Sequence, residues 1–136
     1  MIFRTTKAII THAGRKNNID FTTMNFGNYS ETEQDTGFTW VNGYSIYKKT
    51  IHFGSLPSGG TRSVNHNISN MAQLIEISGI ASNSSDERYP IPKYMLNTNY
   101  GTQIKVTSTV IQMDTNSGID MSSFDAWITL LYTKNS

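Results

Sequence analysis

The sequence predicts an all-β domain, an antiparallel β-sandwich of jelly-roll type with a short N-terminal arm. Three observations carry that prediction. Charged residues are 15% and apolar residues 37%, both below soluble averages, with Ser, Thr and Asn making up the difference. Aromatic residues reach 11%, which with the many β-branched residues excludes a disordered chain. About seven short β-rich runs follow one another at regular spacing, and no long run has helical periodicity. At 136 residues and 15.2 kDa the chain is one domain's worth, large enough to fold without metal or disulfide.

Residues 1–28 differ from the rest. Ile2, Phe3, Ile9 and Ile10 precede a polar break over residues 12–18, and Ile19, Phe21, Met24 and Phe26 follow. So short a piece has no core of its own, so it is either an edge strand on the main domain or an arm that docks on a partner. An arm over 1–28 is expected, with Ile2, Phe3, Ile9, Ile10, Phe21 and Phe26 as its anchor contacts, and a sandwich over 29–136. Exposed apolar stretches of this kind mark contacts.

From Thr36 the strand signals are strong. Residues 37–41 and 44–51 flank Asn42-Gly43, which predicts a hairpin with a type I′ turn. Ser58-Gly59-Gly60-Thr61 reads as a loop, residues 62–68 as a strand, 69–73 as a capped turn and 74–81 as another strand. Residues 83–88 form a surface loop. Tyr89-Pro90-Ile91-Pro92 is extended and confined to an edge by its prolines. Residues 103–113 read as one long strand, 114–118 as a turn and 126–133 as the last strand. On that strand Ala126, Ile128, Leu130 and Tyr132 share one face, while Trp127 and Leu131 occupy the other. Apolar groups on both faces predict a strand covered on both sides, so Trp127 and Leu131 are expected at a subunit interface.

Function classes narrow by exclusion. A net charge of +1 with no basic run gives no footprint for nucleic acid. No apolar stretch is long enough for a transmembrane span, and none resembles a signal segment, so no membrane insertion is expected. With no Cys, thiolate chemistry is excluded. His12, His52 and His66 fall in unrelated segments without metal-ligand spacing. Asp114-x-Asn116-x-Gly118-x-Asp120 has alternating oxygen ligands but lacks the glycine and glutamate placement of a calcium loop, and reads as a plain turn. No phosphate-cradling motif occurs, and no facing carboxylate pair is evident. The expectation is a protein without catalytic residues, metal or cofactor. Tyr89, Tyr94 and Tyr100 lie in or beside loops rich in Pro and Asn, where exposed rings stack on sugars, and are taken as glycan contacts.

Three segments carry a resemblance. Tyr29-Ser30-Glu31-Thr32-Glu33-Gln34 leads into Gly37-x-x-Trp40-x-x-Gly43-x-x-Ile46-Tyr47-x-Lys49-Thr50-Ile51. His66-Asn67-Ile68-Ser69-Asn70 precedes Ile75-x-Ile77-x-Gly79. Gly118-x-Asp120-x-Ser122-Ser123-Phe124 closes into Ala126-x-Ile128-Thr129-Leu130-x-Tyr132-Thr133-Lys134. In this order, over residues 29–134, they resemble the C-terminal knob module of bacteriophage head-fibre, tail-fibre and decoration proteins. The resemblance implies a non-enzymatic virion structural protein, forming a homotrimer and contacting other capsid or tail proteins. The short arm fits a small decoration rather than a long fibre. The alternative is a carbohydrate-binding module that attaches to a host surface glycan.

Overall fold

The computed structural model describes residues 7–12, 15–20, 29–92 and 101–135. Ten strands and no helix are present among them, and the β-sandwich prediction holds. β1 (Lys7–His12) and β2 (Arg15–Asp20) form an antiparallel hairpin running from Lys7↔Asp20 to His12↔Arg15. Among the described residues they form a separate two-stranded sheet. Of the polar stretch read as a break, residues 15–18 belong to β2 and His12 closes β1.

The body contains β3 (Gln34–Thr39), β4 (Ser45–Ser55), β5 (Ser58–Asn65), β6 (Met71–Ser82), β7 (Arg88–Ile91), β8 (Thr102–Val106), β9 (Val110–Asp120) and β10 (Asp125–Lys134). A five-stranded sheet, ordered β3-β4-β10-β6-β7, packs on a three-stranded sheet, ordered β5-β9-β8. The last strand therefore inserts between β4 and β6, antiparallel to both. Its alternation is as predicted: Ala126, Ile128, Leu130 and Tyr132 are fully buried and join Ile51, Phe53, Ile111 and Met113 in one core spanning the two sheets. Among the described strands β7, with Pro90, is an edge strand paired to β6, where a missing N–H does no harm.

Three local expectations are corrected. The predicted strand 103–113 is two strands joined by a tight turn. Thr107 N–H donates to Val110 O at 2.9 Å, while Thr107 Oγ1 accepts from Thr109 N and Val110 N at 3.3 and 3.1 Å. A threonine hydroxyl here organises the turn in place of Gly or Asn. The expected loops at 58–61 and 114–118 lie inside β5 and β9. Their glycines hold positive φ within an irregular pairing: Gly59 at 55°, Gly60 at 128° and Gly118 at 82°. The β3–β4 turn is not type I′. Gly43 N–H donates to Trp40 O and Trp40 N–H to Tyr44 O, both at 2.8 Å, and positive φ falls on Gly43 but not on Asn42. Val41 and Asn42 are thus the central residues, followed by a left-handed glycine, a common three-residue hairpin loop.

Candidate functional site

The outer faces of the two sheets differ in kind. On the small sheet the outward rows are Ser63–Gln112–Lys105 and Thr61–Asp114–Gln103, the polar alternation of a face in water. On the large sheet the register places Pro90, Ile80, Trp127 and His52 in one row. Ser78, Thr129 and Thr50 form the next row, and Glu76, Leu131 and Lys48 the one after. Trp127 is 44% exposed and Ile80 52%; Leu131 is half-buried. Trp127 and Leu131 lie on the outward face of β10, where Trp127 is largely exposed.

An open groove of about 770 Å³ runs over this face, lined by Trp127, Ile80, Tyr29 and Glu31 around a floor of Thr50, Thr129 and Ser78. The floor is cross-linked, with Thr50 Oγ1 and Thr129 Oγ1 at 2.9 Å. One wall is stiffened: the His52 ring stacks on Trp127 at 4.4 Å between centroids, and His52 Nε2 lies 2.7 Å from Asp125 Oδ1. The opposite wall is the segment before β3. Ser30 O accepts from Thr50 N–H at 2.9 Å, and Lys48 Nζ sits 3.6 Å from the Tyr29 ring centroid, a cation–π contact. Rigid aromatic edges over a hydroxyl floor can bind an apolar or amphipathic partner. Among the described lining residues no nucleophile is paired with a base.

The remaining candidates are dispersed. Tyr89 is half-buried on β7, its ring 5.4 Å from that of Phe124. Tyr94 and Tyr100, and the anchor candidates Ile2, Phe3, Phe21 and Phe26, lie outside the described residues. Ile9 and Ile10 lie on β1. His66 is buried and structural: its Nδ1 accepts from Ile68 N–H and its Nε2 bonds Thr107 O, both at 3.0 Å. Asp120 accepts from Ser122 N–H at 2.9 Å, and hydrogen bonds from Ser122 hold its carboxyl below the usual range. Among the described residues no cluster of His, Asp and Glu is placed to hold a metal. Sequence reasoning missed Tyr29, Ile80 and the Thr50–Thr129–Ser78 floor, because only the pairing of β4, β10 and β6 brings them together. No protein-family model matches this chain, and no curated protein or solved structure matches it either.

Proposed function

We propose that this chain is a non-enzymatic virion structural protein of the bacteriophage fibre-knob or decoration type. It assembles as a homotrimer through the outer face of its large sheet and is carried on a capsid or tail. The observation that carries the reading is the outward face of two inner strands of the large sheet, where Trp127 and Leu131 on β10 and Ile80 on β6 turn apolar groups outward. An antiparallel sheet facing water alternates cleanly, as the small sheet does; the large one does not, and apolar patches rimmed by polar groups mark contact surfaces. The three segments that resemble phage modules supply much of this sheet, through β3–β4, β6 and β10.

Sedimentation velocity on the purified chain is the test. An oligomer is expected at micromolar concentration, and Leu131→Asp should dissociate it without unfolding the chain, since an unpaired charge at an apolar contact is strongly disfavoured. A monodisperse monomer would overturn the assembly reading. Immunogold labelling of purified phage particles tests the virion assignment, and unlabelled particles would refute it. A second reading is favoured by the groove's lining: Trp127 and Tyr29 beside three hydroxyls suit a host surface glycan. Glycan-array binding abolished by Trp127→Ala would support it.

A further inference from the structure

The end of the β3–β4 hairpin carries three exposed apolar side chains, among them Val41, the most exposed large apolar residue among those described. The turn geometry puts Val41 at the apex, 90% exposed, with Phe38 at 63% and Tyr44 at 55% beside it. No charged residue occurs from Thr36 to Ile46. The turn is well organised: besides the two backbone bonds that close it, Asn42 Oδ1 accepts from Tyr44 N–H at 3.1 Å. This is a convex, uncharged, apolar knob on a defined hairpin.

The same chain bears a concave counterpart. The outer-face groove has apolar walls at Trp127, Ile80 and Tyr29, and among the described residues its one charged lining residue is Glu31. A chain's own knob does not fill its own groove. Ser45 opens β4 next to the knob and Thr50 floors the groove, so one continuous strand holds them about 17 Å apart. We propose that the β3–β4 knob of one copy seats in the outer-face groove of the next copy. This rests on the assembly reading of that face and names its occupant.

Such a contact is heterologous: knob and groove are different surfaces, so repetition closes a ring when the rotation permits. Size bears on the outcome. Covering the exposed parts of Phe38, Val41 and Tyr44 and the matching groove buries roughly 700 Å² over both partners. That is below the ~1,200–2,000 Å² of a stable binary complex. A single contact is therefore weak, whereas in a closed ring every chain makes two.

The chain has no cysteine, which gives a direct test. Val41→Cys and Ile80→Cys are prepared separately, both at exposed positions, and oxidised alone and mixed. The mixture should form a disulfide-linked heterodimer, and neither variant alone should cross-link above background. Val41→Asp should sediment as a folded monomer where the unmodified chain is an oligomer. Cross-linking of Val41→Cys with itself would show a knob-to-knob contact and overturn the proposal. An oligomer lost in Leu131→Asp but intact in Val41→Asp would leave the face as an interface with another occupant, so this proposal alone would fail. An unmodified monomer would remove both. Val41-dependent flotation with phosphatidylcholine vesicles, without the heterodimer, would assign the knob to lipid and overturn it as well.

Discussion

Removing one hydroxyl, by Tyr132→Phe, tests what ties the segment before β3 to the last strand. The Tyr132 side chain is fully buried and stacks on Tyr47 with centroids 6.2 Å apart. Its Oη donates to Glu33 Oε2 at 2.5 Å, while Lys134 Nζ donates to Glu33 Oε1 at 2.7 Å. Phenylalanine keeps the ring and its packing, so only the hydrogen bond is lost. A bond to a charged acceptor contributes about 1.5–3 kcal/mol. The Glu33 side chain remains 28% exposed, so water replaces part of what is lost and the lower figure applies. A loss of about 1.5 kcal/mol lowers Tm by roughly 5 °C in a chain of this size.

The pH dependence follows from the carboxylate. Burial pushes Glu33 upward, but hydrogen bonds from Lys134 and Tyr132 and the charges of Lys134 and Lys49 outweigh it and hold the carboxyl below its ordinary value. Burial, then the Glu33 carboxylate, raises Tyr132 far enough that its hydroxyl stays protonated at working pH. A carboxyl depressed in the folded state stabilises fully above its unfolded value, and that stability is lost as pH falls through the folded value. The Tyr132→Phe deficit should be complete at pH 7 and shrink in acid, below the ordinary carboxylate range. Urea unfolding followed by tryptophan fluorescence, at both pH values and on a Glu33→Ala background, measures it. On that background Tyr132→Phe should cost nearly nothing. An equal cost with and without Glu33, or one unchanged by acid, would refute the reasoning.

Gly79→Ala should destabilise by about 1–3 kcal/mol through overpacking. An added Cβ would lie 2.5 Å from Ile128 Cδ1 and 3.3 Å from Ile91 Cβ, and denaturant midpoints would show the loss. His66→Leu keeps a buried side chain of similar bulk but orphans Ile68 N–H and Thr107 O. A loss of about 2–4 kcal/mol is expected, with faster amide exchange at Ile68 as the local readout; unchanged exchange there would contradict the assigned role.

What was legible in the sequence was local and periodic. The two faces of residues 126–133 could be read because period-2 alternation survives in a strand paired on both sides, and Pro90 marked an edge for a covalent reason. The hairpin at Asn42-Gly43 was visible, but not that the turn is centred one residue earlier, which is what puts Val41 at its apex. Thr107-Ser108-Thr109 carries none of the usual turn residues, so one strand was read where a side-chain hydroxyl makes two. Gly59, Gly60 and Gly118 signalled loops but serve as irregular points within paired strands. Tyr89 stands beside a polar loop in sequence, yet alternation along β7 turns it toward Phe124. The groove was invisible because its walls come from β4, β6, β10 and the segment before β3, and register between distant strands is not written in any one of them.

The central position of β10 also sets the order in which the large sheet becomes complete. β4 and β6 are not neighbours; each pairs with β10, which lies far from both along the chain. Until residues 125–134 are in place, this sheet exists as two separate hairpins, β3–β4 and β6–β7, each with an open edge. Non-local pairing of this kind is slow, on the order of milliseconds to seconds. During that interval the inner edges of β4 and β6 are unpaired templates for any other strand, including β10 of a second chain. Soluble yield will therefore depend on how fast the last strand inserts, and dilution or cooling during synthesis favours closure within one chain over pairing between chains.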